Sequence, residues 1–216
     1  MNAYHHTNIL NTIHCGDCID VLARFPAESV DLVVTDPPYL ARYKDRSGRT
    51  VHNDADDTWL TPAFAEVYRV MRPDTLCVSF YGWHRVDLFM AAWRKAGLYP
   101  VGHIVWTKRY CSNRRFLAYR HEQAYLLAKG RPQQPEQPIP DTLPWAYSRN
   151  RHHPTEKSSE SLKPLIRSFS SPGQIVLDPF AGSGSTLLAA KQLNRQYIGI
   201  ELDDRHAATA MRRLAC

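Results

Sequence analysis

The segment Ile175-Val-Leu-Asp178-Pro179-Phe180-Ala181-Gly182-Ser183-Gly184-Ser185-Thr186 constrains this chain more than any other. A short apolar run gives way to a glycine-rich turn, and a helix-forming stretch follows at once. A strand that turns so tightly into a helix belongs to an α/β sheet, because the helix must pack back onto the sheet it has just left. The glycines let the turn backbone approach a ligand closely. The helix N-terminus adds unpaired N–H groups and the positive end of its dipole, so a carboxylate or phosphate fits there. Glu201 ends the next apolar strand, 17 residues after Gly184. That is where dinucleotide folds keep the acid that bonds ribose hydroxyls. The turn lacks the Gly-Lys-Ser/Thr of a nucleoside-triphosphate loop. Taken with Asp178 and Glu201, it predicts a nucleoside-bearing cofactor; the glycines alone fit any α/β turn.

The rest of the chain alternates in the same manner. Asn11 to Cys15 predicts a short strand and Ile19 to Phe25 a helix. Val30 to Thr35 is apolar and β-branched, hence a buried strand. It stops at Asp36-Pro37-Pro38-Tyr39, since two prolines cannot continue a ladder. Leu40 to Asp57 is polar and reads as a loop. Pro62 to Met71 predicts a helix with Thr61 as N-cap and Pro62 in first position, ended by Arg72-Pro73-Asp74. Thr75 to Tyr81 reads as a strand, and Val86 to Ala96 as a helix closed by Gly97. Val101 to Thr107 and Ala118 to Ala128 read as strands. Gly130 to Trp145 carries five prolines and predicts an extended connection without regular structure. Helices over Glu160–Phe169, Gly184–Leu193 and Asp203–Leu214 enclose strands over Gln174–Asp178 and Tyr197–Glu201. This alternation predicts a doubly wound α/β sheet in a single domain spanning residues 1–216.

Asp36-Pro37-Pro38-Tyr39 lies at the carboxyl end of a predicted strand, where open α/β sheets bind their ligands. The Asp36 carboxylate and the Pro37 carbonyl can both accept hydrogen bonds from the NH₂ of a planar base. Two acceptors could turn the nitrogen lone pair out of conjugation and towards an electrophile. The Pro37-Pro38 pair fixes the backbone cheaply, and Tyr39 offers a face for stacking. A plain strand-ending turn is the competing reading of the tripeptide. The formal charge of +6 is confined: between Val105 and Arg151 nine Lys/Arg face three acids, so the remainder is neutral. A localised basic segment suits a polyanion. Arg109, Arg114 and Arg115 interleave with Tyr110 and Phe116, a pattern that suits phosphate clamping and base stacking. Arg42, Lys44, Arg46 and Arg49 follow the Asp36 turn and could grip the strand beside a displaced base; Arg149 and Arg151 extend the basic set. The five cysteines are odd in number and irregular in spacing, and adjacent histidines such as His5-His6 and His152-His153 rarely share one ion. Neither disulfides nor a metal is expected. Trp83 and Trp93 are expected in the core, and Trp145 against DNA or a partner. No apolar run reaches a membrane span and the first residues hold no signal-peptide core, so a cytoplasmic location is expected.

These two motifs together resemble the amino-methylating DNA methyltransferases, which carry a catalytic [DNS]PP[YFW] and an S-adenosylmethionine-binding FxGxG. With the catalytic motif first and the cofactor motif last, the order is similar to that of the circularly permuted β-group. Gly16-Asp17-Cys18, His153-Pro154-Thr155-Glu156-Lys157 and Tyr197-Ile-Gly-Ile-Glu201 resemble three further blocks of that family; its Lys-Pro stands here as Lys157-Ser158. The resemblance implies a mostly parallel seven-stranded methyltransferase sheet and S-adenosylmethionine as cofactor. It implies cofactor contacts from Asp17, Cys18, Asp36, Thr155, Lys157, Asp178, Phe180, Ala181, Gly182, Ser183, Gly184, Ser185, Thr186, Glu201 and Leu202, with Asp36, Pro37, Pro38 and Tyr39 catalytic. The base must leave the duplex for its nitrogen to meet the methyl group. Adenine N6 is the expected target, with N4 of cytosine, an RNA substrate or a non-catalytic nucleic-acid-binding module as alternatives. Only residues 129–150 are available for target recognition, which implies a short or relaxed sequence context, or else a homodimer.

Overall fold

The computed structural model describes residues 9–41, 54, 56–114, 116–147 and 157–215, with residues 113 and 114 as backbone alone. The strands are β1 (Thr12–Cys15), β2 (Val30–Thr35), β3 (Met71–Phe80), β4 (Tyr99–Thr107), β5 (Asn113–Arg114), β6 (Ala118–Tyr119), β7 (His121–Lys129), β8 (Thr142–Pro144), β9 (Ile175–Asp178) and β10 (Gln196–Glu201). The helices are α1 (Cys18–Leu22), α2 (Leu60–Val70), α3 (Val86–Ala96), α4 (Ser159–Phe169), α5 (Ser185–Gln192) and α6 (Asp204–Ala215). Eight strands form one sheet in the order β1-β10-β9-β2-β3-β7-β4-β8, and β5 and β6 make a separate two-stranded ribbon. Within the large sheet β7 runs antiparallel to both β3 and β4, while the sheet's other pairs are parallel; β5 and β6 pair antiparallel.

The expected doubly wound, mostly parallel sheet is present. Successive residues of β2 serve opposite faces: Val33 joins the core under α1, α2 and α3, whereas Leu32 and Val34 join the core under α4, α5 and α6. Two buried faces explain why the strand reads as a continuous apolar run. Asp31 breaks that run at little cost because its carboxylate accepts from the Ile175 N–H at 2.8 Å and pairs with Arg72, stapling β9, β2 and β3 together.

Several local expectations are corrected. The sheet has eight strands rather than seven; the additional one is β8, inside the proline-rich connection expected to lack regular structure. Thr142 to Pro144 pair with Val105 to Thr107 at the sheet edge, where proline is tolerated because one side of the strand needs no ladder. Helix α2 begins two residues before Pro62, so Thr61 lies inside it and is not its cap. Arg72-Pro73-Asp74 does not separate helix from strand: it belongs to β3, where the register slips between Val30 and Leu32 and Asp74 takes a left-handed φ of 58°. The predicted strand over 118–128 divides into β6 and β7. Trp93 is fully buried as expected, but Trp83 is 57% exposed. Trp145 is half-buried, packing against the core that holds Ile104 and Trp106, with its ring 5.6 Å from the Lys108 ammonium.

Among the described residues no helix is long and apolar enough to cross a membrane.

Candidate active site

The strand order assembles the site. β9 and β2 are adjacent and parallel, so their carboxyl ends open onto one edge of the sheet. The Asp36 turn after β2 and the glycine-rich turn after β9 stand far apart in sequence, yet they are neighbours at that edge. β10 and β1 extend the same edge: Cys15 pairs with Glu201, and the Gly16 N–H donates to the Glu201 carbonyl at 2.9 Å. Asp17, Glu201, the Gly182 turn and Asp36 therefore follow one another along the carboxyl ends of four parallel strands.

At the centre, Asp36 is held by two groups. The Tyr39 hydroxyl donates to Asp36 Oδ1 at 2.7 Å, and Lys157 Nζ lies 2.7 Å from Oδ2 and 3.3 Å from the Tyr39 oxygen. Lys157 also sits over the rings of Tyr39 and Phe80, at 5.4 and 5.0 Å. Behind it stands Glu122, 4.0 Å from Lys157 and ion-paired to the buried Lys108. Carboxylate and ammonium thus alternate from Asp36 through Lys157 and Glu122 to Lys108. Burial alone would push Glu122 up and Lys157 down. The facing charges outweigh it, holding Glu122 below the usual carboxylate range and Lys157 above the usual ammonium range. Burial, reinforced by Asp36 and Glu122, raises the Tyr39 phenol well above its ordinary value, so it remains a donor.

The backbone around Asp36 is tightly set. Leu40 adopts a left-handed φ of 59°, costly for a branched side chain, and is held there by its burial and by the Ala41 N–H bond to Asp54 Oδ1 at 3.0 Å. A Cβ at Gly82, just past β3, would lie 2.6 Å from the Tyr39 carbonyl oxygen, so only glycine lets β3 back the turn this closely.

At the glycine-rich turn, Glu201 Oε2 accepts from the Gly182 N–H at 2.7 Å and Oε1 from the Asp203 N–H at 2.9 Å. Gly184 caps α5 with φ 81°, and a Cβ there would approach Ala210 of α6 to 3.0 Å. Arg213 of α6 braces the turn from beneath, donating to the Ser183 carbonyl and hydroxyl at 2.6 and 2.8 Å. Asp17 Oδ1 caps α1 through the Ile19 N–H at 2.8 Å. Cys18 faces the core, and burial pushes its thiol up to about 12. Phe180 and Ala181 flank the turn, Ser185 and Thr186 open α5, and Leu202 is exposed beyond β10. Of the remaining expected positions, Arg109 is exposed just past β4 and Arg114 is described by its backbone in β5. Arg42, Lys44, Arg46, Arg49, Arg115, Arg149, Arg151 and Thr155 lie outside the described residues.

Asp178 is buried beside this turn and accepts from the Phe180 N–H at 3.1 Å. Burial raises its carboxyl to about 7, against the Thr186 and Phe180 bonds that favour the ionised form. An acid raised above its unfolded value of 3.8 stabilises the fold fully below that value and loses the contribution as pH rises through 7. Asp178→Asn keeps an acceptor without the buried charge. It should match the parent in stability near pH 4 and exceed it by roughly 2–4 kcal/mol at pH 8. Urea denaturation at the two pH values measures this, and a difference independent of pH would contradict the assignment.

Sequence reasoning misses Glu122, Lys108, Gly82 and Arg213. Glu122 and Lys108 enter the sequence reading only in the charge count of the basic segment; the available signal is a lone acid beginning a long apolar strand. Nothing in the sequence marks Gly82 or Arg213.

A family described as "DNA methylase", of N6 and N4 type, matches residues 30–212. The chain is 58% identical over 200 residues to "Putative methylase YubD" of Escherichia coli K12, covering 93% of this chain and 88% of that protein. It is 29% identical over 248 residues to "DNA adenine methyltransferase YhdJ" of the same organism, covering 96% and 83%. Among solved structures, the complex of M1.HpyAVI with SAM superposes with a TM-score of 0.76 at 25% identity, covering 95% of this chain and 99% of that one.

Proposed function

Since this chain belongs to the N6/N4 DNA methylase family, we propose that it transfers a methyl group from S-adenosylmethionine to N6 of an adenine swung out of DNA. The observation that carries the reading is Asp36, fixed by Tyr39 and Lys157 on the same sheet edge as the glycine-rich turn. The site suits the cofactor: nothing lies within 4 Å of where a Cβ would stand on Gly182, so the turn has an open face beside Glu201. Gly182 to Thr186 would receive the methionine carboxylate, Glu201 the ribose hydroxyls and Asp17 the adenine edge. Cys18, Lys157, Asp178, Phe180, Ala181 and Leu202 would complete the surroundings, with Thr155 preceding Lys157. When bound, S-adenosylmethionine supplies an electrophilic methyl group on sulfur.

The chain's own residues orient the nucleophile. Tyr39 and Lys157 occupy one position on each Asp36 oxygen, and each oxygen keeps a further lone pair for the amine. The Pro37 carbonyl is the second acceptor. As the nitrogen gains positive charge, these fixed acceptors stabilise the transition state more than the ground state. The order of the motifs supports the circularly permuted β-group. Adenine is favoured by Asp at the first catalytic position and by the named activity of the YhdJ relative. Docking of Thr142–Pro144 onto β4 leaves still less of residues 129–150 to read bases, which supports a single domain acting in a short or relaxed context.

The test is incubation with labelled cofactor and DNA from a methylase-free host, followed by mass spectrometry of the nucleosides. N6-methyladenine is expected. N4-methylcytosine would overturn the choice of base, and no methylated nucleoside at all would favour a binding module over an enzyme.

A further inference from the structure

Between Thr107 and His121 the chain leaves the sheet at the edge that carries Asp36. The stem is laddered: the Lys108 N–H donates to the Arg120 carbonyl at 2.7 Å, the Ser112 N–H to the Tyr119 carbonyl at 2.9 Å, and Asn113 and Arg114 pair with Tyr119 and Ala118. Phe116 and Leu117 therefore lie at the tip. Phe116 is 102% exposed and Leu117 68%, an apolar pair with no role in the core. Beyond the buried, ion-paired Lys108, the span to Arg120 carries four arginines and no acid. On the flank of the stem Tyr119 stacks on the exposed Trp83, with ring centroids 6.1 Å apart and planes 23° apart. The root is fixed to the site: Lys108 donates to Ser112 Oγ at 3.2 Å and pairs with Glu122, which lies 4.0 Å from the Lys157 that holds Asp36.

Building on the methyl-transfer reading above, we infer that this hairpin is a wedge for duplex DNA, with Phe116 and Leu117 entering the base stack to fill the space that the extruded base leaves. An exposed apolar tip on a basic stem matches a partner whose outside is anionic and whose interior is a stack of apolar faces. Extruding a base leaves a gap in that stack, and apolar side chains inserted between base steps stabilise the opened duplex. The buried charges at the root keep the hairpin in register with Asp36, so insertion and presentation of the base are linked mechanically.

The test uses the full chain and a variant carrying Phe116→Ala with Leu117→Ala, whose exposed positions leave folding unaffected. Closed-circular DNA is relaxed by a topoisomerase while protein is bound, and the residual supercoiling reads unwinding. The parent should unwind the DNA, and the variant several-fold less at equal occupancy. Methyl incorporation into native DNA should fall roughly tenfold in the variant, while incorporation into the same DNA after heat denaturation stays near the parent's. No unwinding by the parent, equal unwinding by the variant, or an equal methylation loss on native and denatured DNA would each overturn the wedge. Methylation without unwinding leaves the methyl-transfer reading standing. Unwinding that depends on Phe116 and Leu117 without methylation leaves the wedge and removes that reading.

Discussion

Asp36→Ala should reduce methyl transfer by on the order of 10²–10³-fold or more, while cofactor affinity stays within a few-fold of the parent. On the proposed reaction, the substitution removes acceptors that would orient the amine as its nitrogen becomes cationic, interactions that strengthen as the transition state forms. It also strips Lys157 of its nearest counter-charge, so some stability is lost as well. Asp36→Asn separates the two effects: it keeps a carbonyl acceptor in place, and its activity should fall less. Transfer of labelled methyl groups measures the rate and calorimetry the cofactor affinity. Activity of Asp36→Ala within a few-fold of the parent would remove Asp36 from the chemistry.

Glu122→Gln should destabilise the fold by about 3–5 kcal/mol at neutral pH, because it leaves the two ammonium groups of Lys108 and Lys157 in a buried setting with one carboxylate fewer. In a chain of this size that lowers the melting temperature by roughly 6–20 °C. The pH dependence has a definite sign. Glu122 is held below its ordinary value near 4.5, so its contribution is present above that value and is lost as pH falls through the folded one. Lys157 is raised, so its share is present below 10.5 and is lost as pH rises beyond its folded value. The gap between parent and variant should therefore be widest between these limits and close in acid. Adding Lys108→Met should recover part of the loss, since it removes one of the stranded charges. A variant as stable as the parent at pH 7 would show that the alternating charges do not support one another.

The architecture and the two turns that meet at the candidate site were legible in the amino-acid sequence. Val30 to Thr35 and Ile175 to Asp178 read as buried strands because each must be apolar on both faces, and the turns after them are readable because proline and glycine act locally. Local rules failed where neighbours from elsewhere decide. Thr142 to Pro144 becomes a strand only because β4 offers a free edge, and Arg72-Pro73-Asp74 joins β3 because β2 tolerates a slipped register. Charge is the clearest case. Lys108 and Glu122 look like solvent-facing residues in a basic stretch, and Lys157 like a cofactor contact. Only the antiparallel pairing of β7 with β3 and β4 brings Glu122 and Lys108 together behind Asp36, where Lys157, from the segment before α4, meets Glu122. The reason is physical: a hydrophobic period or a turn is set by adjacent residues, whereas the meaning of a charge depends on which distant charges share its burial.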